Sequence, residues 1–208
     1  MWFKDFQIIK KIHNKYNLSG PLLDAGGLEN PTVADYDISV KTAYHRTIEL
    51  GGHRREIVIP HENQKDRYIP INRPWKFIDK DYLILNPENG APSIEELPKH
   101  YGEQFQTVIL TSVFEHVVDP FICSDALYKI IKPGGYIINC APFMFPRHDK
   151  VDNWRYSPEA LKYIHEKSGF TFIEGDYHIQ YKTTDGIGNY HDFNEPQPII
   201  GCYAFCQK

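Results

Sequence analysis

The segment FQTVILTSVFEHVVDP, residues 105–120, runs on through a helix into KIIKPGGYIINC, residues 129–140, and APFMFPRHDKVDNWRYSPE, residues 141–159. Val108, Ile109 and Leu110 form an aliphatic, partly β-branched run of the kind buried on both faces of a parallel sheet. Asp119 before Pro120 reads as an N-cap with proline at the first helical position. Ile122, Ala126, Leu127, Ile130 and Ile131 then recur on one face at helical spacing. Lys132 sets a positive charge at the helix end, Pro133 stops it, and Gly134 with Gly135 permits the reversal into a strand over Tyr136–Cys140. The result is one strand, helix, strand unit. Ligands of open α/β sheets bind beyond the carboxyl ends of the strands, which here means residues 111–116 and 141–152.

The rest of the chain is consistent with an α/β core. At 208 residues and 41% hydrophobic content, a single domain over 1–208 is expected. The formal charge of −4 leaves no basic footprint for nucleic acid. Cys123, Cys140, Cys202 and Cys206 include no CxxC pair and read as reduced, packed thiols. The stretch MWFKDFQIIKK is too polar for a signal peptide, and no run reaches the apolar length of a membrane span. A soluble, cytoplasmic protein is therefore expected.

Phe6, Ile9, Ile12 and Tyr16 predict an amphipathic helix over Lys4–Tyr16, covering a sheet edge. GPLLDAGG, residues 20–27, predicts a short strand ending in Asp24, with a turn at Gly26 and Gly27 where a first strand meets a ligand. Trp75–Asp79 is read as the second strand, with an acid at its end; Asp37 and Glu62 are the alternatives for that acid. Between them lies a long insertion with a helix expected around Val40–Leu50. Residues 170–181 and 199–207 alternate as two closing strands, with a long loop between them. Ser157, Pro158 and Gly169 delimit the preceding helix.

The order of these pieces, a central strand, EHV, DP, helix, KPGG, strand, then a loop with His, Asp, WRY and SPE, resembles the class I S-adenosylmethionine-dependent methyltransferases. It is most similar to the type 11 branch, associated with small-molecule and sugar methylation. The resemblance implies a Rossmann-like doubly wound sheet, mostly parallel, with a C-terminal antiparallel strand pair. It also implies S-adenosylmethionine as cofactor, S-adenosylhomocysteine as product, and a small-molecule or glycan acceptor. Asp24, Gly26 and Gly27 match the family's acidic-glycine turn, although Leu28 and Asn30 stand where further glycines belong. Asp79 would hold the ribose hydroxyls, and Thr111 and Ser112 would line the cofactor.

Methyl transfer to an alcohol needs an in-line approach and a proton acceptor, for which a histidine is suited. His148 and His116 are the candidates, with Asp152 able to orient His148. Arg155 can clamp an anionic group on the acceptor, and Trp154 and Tyr156 can pack on a ring. Glu115, His116 and His148 form a lesser candidate for a divalent ion, because Ser112 stands where the resemblance requires another carboxylate. A catalytically silent module of the same fold is the alternative to an enzyme.

Overall fold

The protein is described by a computed structural model over residues 3–26, 32–35, 43–50, 53–60, 67–70, 73–86, 90–145, 147, 149–181 and 198–208. Helix α1 (Phe3–Tyr16) leads into β1 (Leu22–Ala25). Four strands follow, β2 (Thr32–Asp35), β3 (Ala43–Leu50), β4 (His53–Pro60) and β5 (Arg67–Pro70), then β6 (Leu83–Leu85). The second half comprises α2 (Leu97–His100), β7 (Phe105–Thr111), α3 (Pro120–Ile130), β8 (Ile131–Met144), α4 (Pro158–Lys167), β9 (Thr171–Tyr181) and β10 (Pro198–Gln207).

The main sheet has the order β6-β1-β7-β8-β10-β9. Its first four strands are parallel, while β10 runs antiparallel to both β8 and β9. That is the mostly parallel sheet with an antiparallel closure that the sequence predicts. Strand order reverses at β1: the chain places β6 on one side of β1 and then β7 on the other. Such a reversal opens a crevice at the carboxyl edge, where the connections depart in opposite directions.

Val108 and Leu110 face one apolar layer with Leu127 and Ile130 of α3 and Leu161 and Ile164 of α4. Ile109 and Ile138 face the other, with Ile9 and Ile12 of α1 and with Phe205. Alternate residues of β7 are thus buried on opposite faces, which is why its sequence reads as a continuous apolar run. Helix α1 accordingly covers a face of the sheet rather than an edge. The Asp119 carboxylate accepts from the Phe121 and Ile122 amides, and the Ser157 hydroxyl from the Ala160 amide, so both N-caps form as expected. All four cysteines are buried and free.

Three further expectations are overturned. Residues 43–50 form β3, paired with β4 in a hairpin, not a helix. Gly51 and Gly52 between two eight-residue runs are a hairpin signal that outweighs the helical spacing. Trp75–Asp79 is a series of turns, and the strand beside β1 is the three-residue β6. On α3, Ile122 is exposed and Cys123 takes the buried position.

Between α3, α4 and β8 lies a buried polar trio: His165 Nδ1 is 2.9 Å from Ser124 Oγ, and Nε2 is 3.2 Å from Asn139 Nδ2. Burial pushes the His165 imidazole down to about 3, so it folds neutral. Its contribution to stability is complete above the unfolded pKa near 6.5. It is lost as pH falls toward the folded value, because only the unfolded chain takes up the proton. By pH 5.5 that loss is about 1.4 kcal/mol. Urea unfolding at pH 7.5 and 5.5 should therefore show His165→Gln losing less stability than wild type by about this amount. Equal losses would contradict a neutral His165.

Candidate functional site

At the carboxyl end of β1, Asp24 is buried with its Oδ2 accepting from the Trp75 indole N–H at 2.8 Å. Its other oxygen, Oδ1, has no hydrogen-bond partner among the described residues. Burial raises the carboxyl to about 7, against the opposing effect of the Trp75 hydrogen bond. Trp75 stacks on Phe6 of α1, with ring centroids 5.9 Å apart. The helix and the Trp75 turn together wall off this carboxyl from water.

The next turn is set by Gly26, whose φ of +92° favours glycine. Its N–H donates to the Leu85 carbonyl at 2.5 Å, tying the turn to the end of β6. A Cβ on Gly26 would lie 2.5 Å from Val113 Cγ2, so the turns after β1 and β7 approach too closely for any side chain. Thr111 ends β7 and is buried; Ser112 follows at φ +56° with its N–H on the Cys140 carbonyl at 2.9 Å. Gly26 after β1 and Thr111 and Ser112 at the end of β7 thus lie at the carboxyl ends of neighbouring strands, where strand order reverses. Gly27 and His148 lie outside the described residues, as do Asp37 and Glu62.

Asp79 is at the opposite edge. Its Oδ2 accepts from the Leu22 N–H at 3.0 Å and its Oδ1 from the Asp81 N–H at 3.1 Å, fixing the start of β1. It cannot serve a ligand at the carboxyl edge. The position expected for that acid, after the strand beside β1, is held by Asn86, whose amide offers both a donor and an acceptor. Sequence reasoning missed β6, and so the residue that follows it, because three strand residues inside a proline-rich stretch carry little periodic signal. It missed Trp75 as the partner of Asp24 because the two are 51 positions apart.

The loops after β7 and β8 are bound to each other. The Glu115 carbonyl accepts from the Asn153 and Trp154 amides at 2.7 and 3.3 Å, and the Val117 carbonyl from the Trp154 indole at 2.9 Å. Tyr156 is buried, with its hydroxyl on the Phe114 carbonyl at 2.9 Å, so it belongs to the core and not to an acceptor surface. Arg155 and Asp152 form a two-pronged pair at 2.5 and 2.7 Å, and Arg155 Nε donates to the Phe145 carbonyl at 2.9 Å. The pair braces the loop from inside, with the Asp152 side chain fully buried.

His116 sits on the short 3-10 turn Phe114–His116. Its Nδ1 lies against the Val151 carbonyl. A carbonyl only accepts, so Nδ1 carries the hydrogen and Nε2 the lone pair. Nε2 is 3.8 Å from Glu115 Oε1. Burial raises the Glu115 carboxyl to about 7, with the neighbouring His116 opposing and Asp152 adding to the rise. Among the described residues no group of three or more His, Cys, Asp or Glu side chains is arranged to hold a metal ion.

The contact between the two turns yields a direct expectation. Gly26→Ala meets both the positive φ and the Val113 clash, and lowers stability by about 2 kcal/mol or more in thermal unfolding. Adding Val113→Ala relieves the clash and restores part of that loss. Full tolerance of Gly26→Ala would show that the turns do not touch.

No protein-family model matches the sequence, and no curated protein matches it either. Solved structures match by fold. One, described for the conversion of a disulfide bond into a thioacetal group during echinomycin biosynthesis, has a TM-score of 0.50 at 10% identity, over 97% of this chain and 81% of its own. A SAM-dependent methyltransferase from Methanosarcina mazei has a TM-score of 0.42 at 10% identity, over 62% of this chain and 68% of its own. A SAM dependent methyltransferase from Archaeoglobus fulgidus has a TM-score of 0.39 at 17% identity, over 64% and 71%. The parallel β6-β1-β7-β8 run closed by antiparallel β10 and β9 gives this chain a Rossmann-like fold, shared with the structure from echinomycin biosynthesis.

Proposed function

We propose that this chain is an S-adenosylmethionine-dependent methyltransferase acting on a hydroxyl of a small molecule, a glycan hydroxyl being one member of that class. The observation that carries the reading is Asp24. A buried carboxyl with one oxygen lacking a partner, at the strand-order reversal beside a turn that admits no side chain, is suited to a cationic amine. The ammonium of the cofactor's amino-acid end fits that description. Gly26, Thr111 and Ser112 would border the cofactor, and the Asn86 amide would take the ribose hydroxyls in place of a carboxylate.

When bound, the cofactor's sulfonium supplies a methyl group activated toward displacement. The chain's task is to align the acceptor oxygen and take its proton. His116 is suited to the second role, because the Val151 carbonyl fixes its tautomer with the hydrogen on Nδ1 and the lone pair on Nε2. As the acceptor oxygen gains the methyl group, its proton passes to Nε2. Glu115, 3.8 Å away, then balances the imidazolium charge. His148 remains the second candidate for the base. Asp152 and Arg155 act as positioning residues that hold the 145–156 loop against the 3-10 turn. The departure of Leu28 and Asn30 from the glycine pattern favours one other reading, a module that binds the cofactor without transferring methyl.

Two measurements test this. S-adenosylhomocysteine at 100 times its dissociation constant should stabilise the protein by about 2.7 kcal/mol. Its affinity should rise about tenfold from pH 6 to 7.5, as Asp24 ionises through its value of about 7. Asp24→Asn should lose that dependence. Absence of binding would end the proposal. With an accepted substrate, His116→Ala should lower kcat by about 10²-fold or more and leave cofactor affinity within about twofold. An unchanged kcat removes His116 from the mechanism, and binding without turnover on any hydroxyl substrate supports the silent module.

A further inference from the structure

The acid at the end of β1 is held by a residue 51 positions away, outside the acid-and-glycine pattern of its own turn. The Trp75 indole N–H donates to Asp24 Oδ2 at 2.8 Å, and both side chains are buried. The indole stacks on Phe6 of α1 with ring planes 25° apart and meets the edge of Phe77, centroids 6.3 Å apart. Phe77 in turn lies edge-on to His13, further along α1, at 5.2 Å. The Trp75 carbonyl accepts from the Ile78 and Asp79 amides at 2.8 and 3.2 Å, so backbone and side chain are fixed together.

An indole is a donor without an acceptor. It therefore leaves Asp24 Oδ1 as the oxygen that gains or loses the proton, and it favours the carboxylate over the acid. Burial acts the other way and prevails, raising the carboxyl to about 7 against the hydrogen bond and the chain's amino-terminal charge. Of the charged side chains on the elements packed around it, Asp5 of α1 is 3.0 Å from His178 Nε2 and Asp79 takes the Leu22 amide. Arg73 lies over the Tyr82 ring at 4.5 Å, and Lys76 is exposed. The register partners of Asp24 on β6 and β7 are Ile84 and Ile109, which carry no charge.

Resting on the methyltransferase reading above, we infer that Trp75 is a positioning residue for the cofactor: its donation to Oδ2 keeps Asp24 ionised and in one rotamer. Recognition of the cofactor's ammonium then depends on the turn from Arg73 to Asp79, and on α1 behind it. Trp75 acts through Asp24 and not on the ligand. Without the N–H, the buried carboxyl stays protonated to higher pH and offers the ammonium no charge. Trp75→Phe keeps an aromatic ring against Phe6 while removing the donor.

The test titrates S-adenosylhomocysteine calorimetrically into the full chain, wild type and Trp75→Phe, at pH 6 and 8.5. 5′-Methylthioadenosine, which lacks the amino-acid end, is titrated alongside. The variant's affinity for S-adenosylhomocysteine should lie about tenfold below wild type at pH 6 and within about twofold of it at pH 8.5, where both carboxyls are ionised. Affinity for 5′-methylthioadenosine should agree between the two proteins within about twofold at both pH values. A loss equal at the two pH values, or one shared by 5′-methylthioadenosine, marks a merely structural role and overturns the inference. A second measurement leaves Trp75 intact: its indole N–H resonance in ligand-free wild type should move with a midpoint at about pH 7 and stand still in Asp24→Asn. A resonance that does not follow Asp24 overturns the inference too, and this titration decides alone if Trp75→Phe does not fold. Failure of wild type to bind S-adenosylhomocysteine defeats the methyltransferase reading instead, and the indole titration still decides whether Trp75 governs the charge of Asp24.

Discussion

Burial of the Asp24 carboxyl at the end of β1 is the constraint around which this half of the molecule is arranged. A carboxyl removed from water is costly unless hydrogen-bonded, and here one oxygen is satisfied by the Trp75 indole while the other is not. Keeping the indole in place requires Phe6 of α1 to stack on it and the turn from Arg73 to Asp79 to present it. That same turn supplies Asp79, whose oxygens fix the start of β1. One short segment therefore secures both ends of a four-residue strand. The unsatisfied oxygen carries a desolvation cost that the packing of Trp75 and Phe6 around it must offset.

A second constraint is the union of the loops after β7 and β8. Backbone carbonyls at Phe114, Glu115 and Val117 accept from Tyr156, Asn153 and Trp154, so the candidate base at His116 rides on a wall rather than a free loop. Preorganisation of this kind matters where a proton must pass during an in-line displacement, since misplacement by about 1 Å can cost about 10²-fold in rate. The internal commitment of Arg155 and Asp152 follows from the same architecture. Their pairing turns polar groups inward and leaves Trp154 and Val151 at the surface.

Much of the sheet is legible in the sequence because β7, α3 and β8 are marked by local chemistry. An aliphatic run and an aspartate cap before proline each report their own structure without help from distant residues. The N-caps at Asp119 and Ser157 and the closing pair β9 and β10 belong to that class. The glycine pair expected as a turn before Tyr136 instead lies inside β8, which begins at Ile131. The first half is less legible because its decisive contacts are long-range. β6 has only three residues, and its pairing with β1 rather than any periodicity makes it a strand. Asp79 ends a segment that resembles a strand in composition, yet tertiary contacts fold it into turns and send the carboxylate to the opposite edge. Asp24, Gly26, Thr111 and Ser112 lie at the carboxyl ends of β1 and β7, because those strands are the ones the local pattern marks. Tyr156 and Arg155 are held by contacts within the protein, and spacing along a loop does not reveal which way a side chain turns.

The central claim, that the crevice at the strand-order reversal holds the cofactor through Asp24 and its adjoining turn, is tested most directly by amide chemical-shift mapping during titration with S-adenosylhomocysteine. The account predicts that the largest shifts fall on Gly26, Asn86 and Ser112 at the carboxyl edge, while Gly20, Gly134 and Lys208 at the opposite edge stay in place. Shifts confined to the opposite edge, or no shifts at saturating ligand, would contradict it.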